Sequence, residues 1–85
     1  MEKKIEIVAI KILDRIKEAK RLQKTLSKYS DIIKTRFGYH DLNDYRCSRN
    51  ALVILELEGS NARSRELFED LDEIGGIVTK VMSFN

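Results

Sequence analysis

The sequence predicts an α+β domain in the order strand, helix, strand, strand, helix, strand. Three observations carry this. β-branched runs recur at Ile5–Leu13, Ile32–Tyr39, Ala51–Glu58 and Ile77–Phe84. Two stretches between them, after Asp14 and after Asn61, carry apolar residues three or four apart, the period of an amphipathic helix. The breaks fall on capping and turn residues: Asp14, Gly59-Ser60-Asn61 and Gly75-Gly76.

The first strand spans Glu2 to Leu13. It is almost continuously apolar, so it belongs at the centre of a sheet. Asp14 caps the first helix, whose apolar side is Ile16, Ala19, Leu22, Leu26 and Tyr29 and whose other side carries Lys17, Lys20, Arg21, Lys24 and Lys28. The helix ends near Ser30. Ile32 to Tyr39 is the second strand, and Gly38 marks a bend or bulge at its end. A polar loop runs from about 40 to 50. The third strand is Ala51–Glu58, with Val53, Leu55 and Leu57 on one face. The second helix points Leu67, Phe68, Leu71 and Ile74 inward, with Glu66, Glu69, Asp70 and Glu73 outward, and Gly75-Gly76 stops it before the last strand.

This is the split β-α-β pattern of the ferredoxin-like arrangement. Right-handed crossovers put both helices on one face of a four-stranded antiparallel sheet, in the order fourth, first, third, second. With 85 residues the chain makes one domain, 1–85. It has no proline and is 42% hydrophobic, unlike a disordered linker. Its uncharged apolar runs, such as Ile7–Ile10 and Ala51–Leu55, are far short of the roughly 20 residues of a membrane span. With no leader pattern at its start and a single cysteine, the chain is expected in the cytoplasm.

Residues 1–50 hold 13 Lys and Arg against 7 Asp and Glu, whereas residues 51–85 hold 3 against 7. The split reads first as two neighbouring helices of opposite charge, and second as a basic patch for an acidic partner. The net charge of +2 is too small to argue for nucleic acid. The two central strands lack the aromatic residues that stack RNA bases. Direct nucleic-acid contact is therefore not expected.

Alternation along the strands assigns a second feature. If Val8, Ile10, Ile12, Val53, Leu55 and Leu57 meet the helices, then Ile5, Ile7, Ala9, Leu52 and Ile54 lie on the uncovered face. The last strand adds either Val78 and Met82 or Ile77 and Val81, and its register is left open. An apolar patch of roughly 400–600 Å² is near the limit for a soluble monomer. Burying it contributes on the order of 10 kcal/mol before association costs. Self-association through Ile5, Ile7, Leu52 and Ile54, as a dimer or tetramer, is the expectation, with another protein as the other class of partner.

Catalytic chemistry finds little footing. Leu13-Asp14-Arg15 stands where an acylphosphatase has its glycine-rich phosphate cradle, and no phosphate loop or paired cysteine motif occurs. The chain is read as a non-enzyme. His40 and Cys47 are the only residues of their types and flank one loop. Imidazole and thiolate together suit zinc, nickel or iron. Two ligands fall short of the usual four, so an oligomer would supply the rest. Arg36, Arg46 and Arg49 offer an anion or small-ligand site as the alternative use of that region.

At these residues the chain resembles the iron-only hydrogenase system regulators, relatives of the regulatory domain of the nickel-responsive repressor. The resemblance covers nearly the whole chain. It rests on Ile10 to Asp14, on Ile32-Ile33-Lys34-Thr35-Arg36-Phe37-Gly38, and on Ile74-Gly75-Gly76-Ile77-Val78-Thr79-Lys80. It implies an oligomeric regulator of anaerobic bacteria linked to transcription or hydrogenase maturation; the chain is read as a sensor domain responsive to a metal or small ligand, or one that binds a partner protein. Here Tyr39-His40 stands where many members have Leu-Pro, and Glu69-Asp70-Leu71-Asp72 replaces a stretch containing Gly and Lys. The nickel repressor binds metal through His and Cys between subunits, but its ligand spacing is not reproduced, so no ligand assignment is carried across. Two other readings stay open: a metallocofactor-assembly accessory using Cys47, and a purely structural interaction module.

Overall fold

The computed structural model describes residues 4–39, 51–58 and 61–84. The elements are β1 (Ile5–Ile12), α1 (Arg15–Ser27), β2 (Ile33–Tyr39), β3 (Ala51–Glu58), α2 (Asn61–Asp72) and β4 (Ile77–Phe84). The four strands form one sheet in the order β2-β3-β1-β4, every neighbour antiparallel. The α+β ferredoxin-like expectation holds, including strand order.

One face of the sheet is sealed by the helices. Val8, Ile10, Ile12, Val53, Leu55 and Leu57 are buried there, against Leu22, Leu26 and Tyr29 from the first helical segment and Leu67, Leu71 and Ile74 from the second. Asp14 caps α1, its carboxylate accepting from the backbone N–H of Ile16 at 3.1 Å and of Lys17 at 3.2 Å. This satisfies donors that have no partner within the helix.

The inward side of α1 differs from the expected one. Ile16 is 67% exposed, whereas Glu18, Leu22, Thr25, Leu26 and Tyr29 are buried. Ile16 lies two residues before Glu18, about 200° round the helix, so the packing that seats Leu22 and Leu26 turns Ile16 to water. The helix also ends earlier, at Ser27, followed by a turn that leads into β2.

The irregularity in β2 falls between Ile33 and Thr35, not at Gly38, which stays in register opposite Val53. A Cβ on Gly38 would meet the Val53 side chain at 3.6 Å, an ordinary contact. Among the described residues, Gly76 is the glycine that geometry requires. Its φ is +79°, and an added Cβ would lie 3.0 Å from the Glu18 carboxylate. Its carbonyl accepts from Leu13 N–H at 2.9 Å, tying the turn before β4 to the end of β1.

Candidate functional site: the open face of the sheet

Residues paired across antiparallel strands share a face, so the registers lay out the uncovered side as a grid. The first row holds Ile5, Glu58 and Phe84; the second holds Ile7, Glu56 and Met82, with Thr35 at the edge. The third row holds Ala9, Ile54 and Lys80, with Phe37 at the edge; the fourth holds Lys11, Leu52 and Val78. Ile5, Ile7, Leu52 and Ile54 therefore stand together on the side away from the helices.

The sequence left β4 open between two registers. Pairing of Ile7 with Met82 and of Lys11 with Val78 puts Val78 and Met82 on this face, and Ile77 and Val81 on the helix side. The outer strands contribute the residues most exposed: Phe37 at 61%, Met82 at 58%, Phe84 at 51% and Val78 at 45%. Ile5, Ile7, Ala9, Leu52 and Ile54 are half-buried by their neighbours. Phe37 and Phe84 were missed as site residues. The parity of Phe37 could not be read because the bulge at Lys34 shifts it, and Phe84 depends on the β4 register.

Charge is concentrated in two places on this face. Glu56 and Glu58 lie next to each other on β3, with the Lys34 ammonium 4.0 Å and 3.9 Å from their carboxylates. Lys11 and Lys80 occupy the other end, on β1 and β4. Between them the surface is apolar.

Of the other candidates only Arg36 is among the described residues, and it stands apart from this face. Arg36 is exposed on β2 and pairs with Leu55, so it points to the helix side of the sheet. His40, Cys47, Arg46 and Arg49 lie outside the described residues. Among the described residues, no three of His, Cys, Asp and Glu are grouped to hold a metal ion.

An ion-pair cluster joins the two helical segments on the other side of the sheet. The Arg63 guanidinium donates to both Asp31 carboxylate oxygens, at 3.2 and 2.9 Å, to the Lys28 carbonyl at 3.0 Å and to the Glu66 carboxylate at 2.8 Å. It also stacks over the Tyr29 ring, 4.6 Å from its centre. That guanidinium holds the Asp31 carboxyl below its usual range. The Tyr29 hydroxyl donates to Asp70. That bond, with burial and the nearby Asp70 and Glu66 charges, pushes the Tyr29 pKa up to about 12 against a smaller opposing effect of Arg63. A shallow groove between the helical segments has Arg21, Lys24 and Lys28 on one side and Asp70 and Glu73 on the other. The groove sets cations of the first helical segment beside acids of the second, whereas the Arg63–Asp31 ion pair joins a cation of the second to an acid that follows the first.

No helix among the described residues is long and apolar enough to cross a membrane. No family model and no curated protein matches the sequence. Solved structures do. An uncharacterized protein of Thermotoga maritima is 27% identical, with a TM-score of 0.84 over 99% of this chain and 100% of that one. A PII-like signalling protein of Thermus thermophilus is 14% identical, with a TM-score of 0.65 over 99% of this chain and 91% of that one. A CPII protein of Thiomonas intermedia, solved with ADP, AMP and acetate, is 11% identical, with a TM-score of 0.57 over 99% of this chain and 90% of that one. The two lower identities show a common fold alone. Registers, core and comparisons agree on a ferredoxin-like chain whose sheet is covered by helices on one side and bears a contiguous apolar surface on the other.

Proposed function

We propose that this chain is a non-enzymatic regulatory module that works as an oligomer, a second copy covering the open face of its sheet. The observation that carries the reading is that face, on which Phe37, Met82, Phe84 and Val78 extend the half-buried patch of Ile5, Ile7, Leu52 and Ile54. Water contact over so much apolar surface is costly for a monomer. Association removes it without using any group on the helix side.

The regulatory part of the reading draws on the resemblance to the iron-only hydrogenase system regulators. The whole-length fold shared with a protein described as a PII-like signalling protein is compatible with it. In this reading the module acts in the bacterial cytoplasm, on transcription or hydrogenase maturation, and responds to a transition metal or small ligand. His40 and Cys47 are the donors proposed for a metal, with further ligands coming from another copy.

Two measurements test this. Light scattering of the purified protein at micromolar concentration should return a dimer or larger mass, and a monomer mass would end the sheet-assembly reading. Elemental analysis of anaerobically purified protein should find stoichiometric metal that His40→Ala or Cys47→Ala removes. Metal-free wild-type protein, or uptake indifferent to both substitutions, would rule out the proposed donors.

A further inference from the structure

The geometry points to an orthogonal sheet-on-sheet dimer, in which Lys80 of each copy sits over the Glu56–Glu58 pair of the other. The inference rests on the proposed assembly through the open face and specifies its arrangement.

The argument is one of symmetry. Strands lie about 4.8 Å apart, and residues on one face repeat about every 6.7 Å along a strand. The four rows form a patch of about 19 by 27 Å, of which two crossed sheets overlap over about 19 by 19 Å, or about 360 Å² per copy and about 700 Å² for two. That is the size of a small, weak interface, in which charge matching decides the arrangement. A two-fold dimer stacking this face on itself needs its axis in the plane between the sheets, and four simple directions exist.

An axis along the strands sets Lys80 over the partner's Phe37 and Glu58 over the partner's Ile5. An axis across the strands sets Lys11 over the partner's Ile5 and Glu58 over the partner's Leu52. Both bury charge against hydrocarbon, which is costly. One diagonal axis brings Glu56 onto Glu56 of the second copy and Lys80 towards Lys11, so like charges meet. The other diagonal passes near Ile7 and Ile54. It exchanges the acidic and basic corners, and Lys80 falls between the partner's Glu56 and Glu58.

That last arrangement also satisfies the apolar residues. Met82 faces Ile5 and Ile7 of the other copy, and Phe37 faces Ile54 and Leu52. At the acidic corner the arriving Lys80 adds a cation beside the Glu56 and Glu58 carboxylates, which Lys34 approaches within one copy. The strands of the two sheets cross near 90°, one of the two packings that twisted sheets adopt. Charge of this kind fixes the partner and its orientation more than it adds affinity.

The test is a charge exchange followed by sedimentation analysis. Lys80→Glu alone, and Glu56→Lys with Glu58→Lys, should each weaken self-association at least about tenfold. An equimolar mixture of the two variants should recover affinity to within a few-fold of wild type, because both charge contacts are restored in the mixed dimer. Ile7→Asp, placed near the axis, should give a monomer, with circular dichroism confirming the fold. If wild type dimerises and Ile7→Asp does not, yet the charge variants associate like wild type or fail to recover on mixing, the orthogonal arrangement is wrong and sheet assembly stands. If wild-type protein is itself monomeric, both fall.

Discussion

Replacing Phe37 with serine should separate assembly from folding. Phe37 is 61% exposed on the open face. A phenylalanine presents about 200 Å², so about 120 Å² of it is available to a partner. At about 25 cal/mol per Å², covering that area contributes about 3 kcal/mol per copy and about 6 kcal/mol per symmetric dimer. If repacking recovers half, the loss is still about 3 kcal/mol, about a hundredfold in Kd. Within one copy, Phe37 buries only about 80 Å², so the folded monomer should lose at most about 2 kcal/mol. Sedimentation equilibrium reads the first quantity, and denaturant unfolding under dissociating dilution reads the second. Leu67→Ala is the converse control. Leu67 is fully buried between helix and sheet, so its truncation should cost about 2–5 kcal/mol of folding stability and leave the association of folded protein unchanged. A Phe37→Ser protein that associates as tightly as wild type would refute the reasoning.

Two further outcomes probe the helix side. Gly76→Ala should lower stability by about 1–2 kcal/mol, since its φ of +79° strains an L residue and its Cβ would press on the Glu18 carboxylate. Gly75→Ala, with nothing within 4 Å of its Cβ, should show no such clash; equal losses at the two glycines would contradict this account. The third concerns pH. The Tyr29 pKa is raised in the folded protein to about 12, from an ordinary 10.0. Its contribution should therefore be complete below about pH 10 and fall away as pH rises towards 12. Tyr29→Phe should lose stability relative to wild type at neutral pH, and the gap should narrow across that window. A gap that stays constant would mean the Tyr29–Asp70 bond does not carry it.

Much of this protein was legible before any coordinates. The β-branched runs, the capping Asp14 and the Gly75-Gly76 stop are local signals, and local backbone chemistry is what places element boundaries. β3 and β4 fall where the residue types predict, and the parity of β1 and β3 assigns Ile5, Ile7, Leu52 and Ile54 to one face because alternation is a property of the strand itself. The exposure of Ile16 was not legible. Its spacing fits an apolar stripe as well as Leu22 does, and only the angle at which α1 meets the sheet selects between them.

The same limit governs the site. Which residues of β4 join Ile7 and Ile54 depends on hydrogen-bond register with a strand some 70 residues away in the chain, and a shift of one residue would exchange Met82 for Val81. Phe37 reaches the open face only past the bulge at Lys34, which forms against β3. By itself the sequence determined that one side of the sheet is apolar beyond the needs of the core. Only the tertiary structure decided the shape of that surface, with its acids and lysines at opposite corners. Placement across strands comes from pairing between distant segments, and no local preference encodes it.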